Sequence, residues 1–96
     1  MDAKIIWDLE DDVDGNVQHL REHDVSIEEA EEVLLDPQSS RAPSRTSGLP
    51  TAFGWTSTGR HLAVVCDLVD DDPLTLRPVT ASDVPPPAPK KKGRKR

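Results

Sequence analysis

Apolar positions recur along this chain with two different spacings, and the change of spacing divides it. Between Val17 and Leu34 the hydrophobic residues lie three or four apart: Val17 and Leu20, then Ile27, Ala30, Val33 and Leu34. That period lines one face of a helix. The break at Asp24-Val25-Ser26 predicts two short helices joined by a tight turn. Gln18, Arg21 and Glu22 face water on the first, and Asp12 or Asp14 is placed to cap it. The second opens with Ser26 and Glu29 as an S-x-x-E capping box, in which each side chain satisfies the other's backbone donor. Glu28, Glu29, Glu31 and Glu32 form its outer, solvated face, and Pro37 stops it.

Outside that region the pattern is one of strands. Residues 3–7 (AKIIW) are rich in strand formers, and the acidic run 8–14 reads as a turn. Residues 38–50 are polar and rich in Ser and Pro, which predicts a loop. Residues 51–56 alternate, with Phe53 and Trp55 on one side, and residues 60–69 are the longest apolar run, a central strand. Residues 74–81 form the next strand; Pro78 within it cannot donate a ladder hydrogen bond, so that strand is an edge or is bulged. From Val84 the sequence PPPAPKKKGRKR predicts a disordered, Pro-rich and basic tail. The expected fold is α+β in two layers: an N-terminal strand, two helices, then a three-stranded antiparallel meander. Residues 1–84 make the domain and 85–96 the tail.

Composition narrows the picture. Ninety-six residues make one small domain. Only 34% are hydrophobic, and the aromatics are Trp7, Phe53 and Trp55, so the core is thin. Both tryptophans are expected in it, and a second copy of the chain would help to complete it. No apolar run approaches a membrane span, no secretion signal opens the chain, and the single cysteine, Cys66, excludes an internal disulfide. A soluble cytoplasmic protein is expected. Cys66, mid-strand, reads as a small buried hydrophobe.

The formal charge of −6 hides a split. All 18 acidic residues and six of the 12 basic ones precede Pro85, which leaves that body at −12; the other six bases lie in residues 90–96. Such a body repels phosphate backbones, whereas the tail attracts them and is a candidate contact for nucleic acid. His19 and His23 are four apart on one helical face, but a zinc site needs more ligands than these two supply, so no metal or cofactor is expected. Arg60 and Arg77 are the two body arginines on predicted strands. They either neutralise the acidic helices or stabilise charge on a phosphate. His61 is either a base or a surface residue.

Several of these residues together resemble the BrnT family, the toxin half of a type II toxin–antitoxin pair. They are Trp7-Asp8, H-L-x-x-H from His19 to His23, Val25-Ser26, the run from Glu28 to Pro37, Phe53-Gly54, Gly59-Arg60 and Arg77 with Thr80-Ala81. The resemblance spans about residues 4–82. It implies a RelE-like fold and a bacterial, metal-independent ribonuclease bound by a cognate antitoxin protein, with RNA as substrate. In that reading Arg60, Arg77, His61 and His23 would carry catalysis. The chain departs from the family where Thr80-Ala81-Ser82 replaces a triplet ending in arginine, and where Asp11, Asp12 and Asp14 stand in place of a lysine. The alternative is a non-catalytic protein- or nucleic-acid-binding module on the same fold.

Overall fold

A computed structural model describes residues 3–36, 38–43 and 48–85. Seven elements follow in order: β1 (Lys4–Ile5), α1 (Asn16–Glu22), α2 (Ile27–Leu35), β2 (Ser40–Pro43), β3 (Pro50–Trp55), β4 (His61–Asp71) and β5 (Leu74–Asp83). The strands form one mixed sheet in the order β1-β5-β4-β3-β2. Strands β2 to β5 run as an antiparallel meander, and β1 joins the outer side of β5 in parallel, Lys4 opposite Thr75. The α+β class holds, and the three-stranded meander is corrected to four strands plus a parallel β1.

The additional strand, β2, lies inside the stretch expected as a loop. All four of its residues are exposed, so no apolar alternation marks it. Its pairing comes from the backbone, with Ser40 opposite Phe53 at the open end and Pro43 opposite Pro50 where the two strands connect. An edge strand needs neither a buried face nor every N–H, which is why serine and proline are tolerated there. Pro78 shows the other side of the same rule. β5 is interior over its first residues, flanked by β1 and β4, and the register shifts between Val65 and Cys66 so that Val65 faces Thr80 while Cys66 faces Pro78. The bulge accommodates the proline.

Both helices cover one face of the sheet. Leu20, Val25, Ala30, Val33 and Leu34 meet Ala52, Leu62, Val64, Cys66, Leu76 and Ala81 in a single buried cluster, with Trp7 packed at its margin. Each buried Leu or Val contributes about 1.5–3 kcal/mol. The α1–α2 turn is as tight as expected. Asp24 takes a left-handed conformation (φ 61°) and Val25 N–H donates back to the Leu20 carbonyl at 3.0 Å, closing α1 while burying Val25. Both halves of the Ser26–Glu29 capping box are present. Asp36, the residue after α2, is extended (ψ 120°); Pro37 itself lies outside the described residues.

The start of α1 differs from expectation. Gly15 is its N-cap and has no side chain to offer, while Asp12 accepts from Asp14 N–H and neither caps the helix. Asp8 does the work from a distance, accepting from Asn16 N–H at 2.9 Å. A Cβ on Gly15 would fall 2.7 Å from the Asp8 Cβ, so only glycine lets Asp8 come this close. The basic tail, beyond Pro85, lies outside the described residues. Among the described residues no helix is long and apolar enough to cross a membrane.

Candidate functional site

Arg60 sits where β4 begins and is bound on three sides. Its Nε and Nη2 donate to the two carboxylate oxygens of Asp83 at 3.0 and 2.7 Å. Its Nη1 donates to Glu29 Oε1 at 2.9 Å and to the Asp24 carbonyl at 2.6 Å. The guanidinium thus ties the α1–α2 turn, the first turn of α2 and the end of β5 into one knot. Its side chain is 23% exposed and that of Glu29 15%. The hydrogen bond to Asp83, with Glu29 added, drives the Arg60 pKa above its already high ordinary value, against the cost of burial. Burial pushes the Glu29 carboxyl up, but Ser26 N–H, the Thr58 hydroxyl and Arg60 together outweigh it and hold its pKa below the usual range. Arg60 likewise lowers that of Asp83.

Arg77 is held elsewhere. Its Nη2 donates to Asp8 Oδ2 at 2.5 Å, the same oxygen that caps α1 through Asn16 N–H. Asn16 completes this second knot. Its side-chain oxygen accepts from Asp8 N–H at 2.8 Å, and its amide donates to the carbonyls of Ile6 (3.0 Å) and Pro78 (2.9 Å). A cavity of about 370 Å³ lies beside it, with Arg77, His19, Asp14 and Glu22 on its wall. Two carboxylates and the Asp8 partner make that cavity a poor host for a phosphate.

The two arginines do not meet. Arg77 is opposite Asp67 on β4, whereas Arg60 lies at the level of Val84, whose N–H donates to the His61 carbonyl. Six or seven residues of strand separate the two levels, roughly 20 Å at the strand rise. His61 follows Arg60 in sequence but faces the other side of the sheet. Its ring lies 4.9 Å from that of Trp55, and its Nδ1 donates to the Val84 carbonyl at 3.3 Å. His23 is the C-cap of α1; its ring meets His19 edge-on at 5.7 Å and neither arginine. The four residues expected to share a catalytic site are therefore not brought together. Among the described residues no group of histidine, cysteine and carboxylate side chains is arranged to hold a metal.

The glutamates of α2 are less free than a solvated face implies. Glu31 accepts from Trp7 Nε1 at 2.9 Å, Glu32 accepts from Ser57 N–H at 3.2 Å, and Glu29 accepts from Thr58 and Arg60. They bind the helix to the N-terminal strand region and to the β3–β4 turn.

The sheet face away from the helices is the second feature. Ala52 belongs to the core and a Cβ on Gly54 would touch Val33, so alternation turns Phe53 and Trp55 outward. Trp55 is 54% exposed, which corrects its expected place in the core. A thin core did not need it, because both helices lie on the other face. Phe53, Trp55 and His61 form a shelf beside a cavity of about 380 Å³ that continues past Ser39 and Ser40 to Asp36. The alternation of Phe53 and Trp55 was the sequence signal for this shelf; which face the helices cover was not in it. Compared with protein-family models, with curated proteins and with solved structures, the chain gives no match.

Proposed function

We propose that this chain is a non-catalytic binding module on a BrnT-like fold, with the open face of its sheet as the surface that receives a partner protein. The observation that supports it best is the state of the two arginines: each is spent on internal carboxylates, and Arg60 stands at the open end of the β4–β5 hairpin while Arg77 lies near its middle, opposite Asp67. Cleavage of RNA without a metal asks for a base and a cation converging on one phosphate. Here His61 faces away from Arg60, and Arg77 has Asp8 as its partner. The exposed aromatic shelf is, by contrast, suited to a protein contact, where Trp and Phe anchors carry most of the binding energy. The acidic body would hasten encounter with a basic partner, as an antitoxin of suitable charge would be.

Induced expression in a bacterial host, with growth and total RNA followed together, tests this reading. Normal growth with intact RNA is expected, identical for the parent chain and an Arg77→Ala variant. RNA loss that disappears in Arg77→Ala, with the variant still folded, would replace the module with a ribonuclease toxin.

A further inference from the structure

The open sheet face lies beside the point at which the chain leaves the fold. Val84 donates to the His61 carbonyl at 3.0 Å and accepts from His61 Nδ1 at 3.3 Å, so the backbone at Val84 is fixed next to the ring that contacts Trp55. From Pro85 the sequence reads PPPAPKKKGRKR. The cavity on this face runs from His61 along Trp55 and Phe53 to Ser40 and Asp36. Its two ends differ in chemistry. Near His61 it is aromatic. At the far end stand Asp36 and the C-terminus of α2, whose last turn holds no basic residue to offset the negative end of its dipole.

Distances match this gradient. From β5 across β4 and β3 to β2 is three strand spacings, about 14 Å. Five residues of proline-rich chain, 85–89, span about 15 Å at the polyproline rise. A proline run that starts at Val84 and crosses Trp55 and Phe53 therefore delivers Lys90 to the neighbourhood of Asp36. Aromatic shelves of this kind bind proline-rich segments because the stiff segment loses little entropy. Six positive charges in residues 90–96 face a body of −12.

We propose that the open sheet face around Trp55 is the docking site of the chain's own residues 85–96, the prolines lying on Trp55 and Phe53 and the lysines meeting Asp36 and the C-terminal end of α2. The inference rests on the reading of this face as a binding surface and adds to it a built-in competitor: an external partner must displace the segment.

Nuclear magnetic resonance on the full chain decides the matter. The parent is compared with a Lys90→Glu/Lys91→Glu/Lys92→Glu variant at low salt, with Trp55→Ala as control. The expected result is contacts between the Pro86–Pro89 ring protons and the Trp55 indole, independent of protein concentration. The Trp55 indole and Asp36 amide signals should shift in the charge-reversed chain while the Trp7 indole stays put. In Trp55→Ala, charge reversal should no longer move the Asp36 signal. Absence of proline–indole contacts together with unmoved signals, in spectra that keep their sheet dispersion, would overturn the proposal. So would contacts that arise only on raising the concentration, since the occupant would then be a second copy. Neither outcome depends on RNA cleavage, so the docking and the non-catalytic reading fail separately.

Discussion

Asn16 is 3% exposed and serves as donor and acceptor at once. It accepts from Asp8 N–H and donates to the carbonyls of Ile6 and Pro78. Asn16→Ala strands one buried and two partly buried backbone groups, and a loss of about 2 kcal/mol is expected in chemical denaturation. Asn16→Asp should cost at least as much at neutral pH, since it sets a carboxylate against two carbonyls. Nothing in the sequence marked this residue, because its partners lie up to 62 positions away. Cys66 was legible: a cysteine amid Val64, Val65 and Leu68 reads as buried, and it is 2% exposed. Burial pushes its thiol up to about 12. At mildly alkaline pH the native chain should resist alkylation, and labelling should follow the unfolded fraction as urea is raised. Prompt labelling in the absence of urea would contradict the burial.

At the scale of elements, α2 explains itself locally and also reaches beyond itself. Its capping box, its apolar stripe and its end near Leu35 could all be read from consecutive residues. That Glu29 also receives Thr58 and Arg60 could not, because those partners arrive only when the β3–β4 turn folds onto the helix. The consequence is a pH dependence. Glu29 has a folded pKa below its ordinary value, so the unfolded chain binds its proton more readily. Its contribution is present above the ordinary carboxylate pKa and is lost as pH falls through the lowered one. Unfolding midpoints measured from neutral to acid pH should therefore decline less steeply in Glu29→Gln than in the parent, with the variant already weaker at neutral pH. Parallel slopes would remove Glu29 from the account. The opposite case is β2, which no local signal revealed, since its four exposed residues are held by backbone pairing alone.

For the molecule as a whole, the sequence conveyed the layers but not which sheet face the helices choose. The strand alternation of Phe53 and Trp55 is the same whether they point into the core or out of it; the deciding residues are Ala52 and Gly54, small enough for α2 to approach. Gly54 is the clearest instance. Ser39 Oγ lies 2.3 Å from where its Cβ would be, and that hydroxyl donates to the Val33 carbonyl near the end of α2 at 2.6 Å. The same limit applies to Arg60 and Arg77. Their positions on strands were foreseen, and both readings of them, structural and catalytic, stood open until the register placed them roughly 20 Å apart. With Asp83, Glu29 and the Asp24 carbonyl around it, Arg60 joins three elements that sequence separates by 23 to 36 positions.

That claim is tested most directly by urea unfolding of Arg60→Ala and Arg60→Lys beside the parent at neutral pH. Arg60→Ala is expected to lose about 2–3 kcal/mol, on the strength of Glu29 and the Asp24 carbonyl alone, because it leaves a largely buried carboxylate without its cation. Arg60→Lys should restore less than half, since an ammonium cannot span the same forked set of acceptors. A stability within about 0.5 kcal/mol of the parent for Arg60→Ala would contradict the account and return Arg60 to the pool of residues free to hold a ligand.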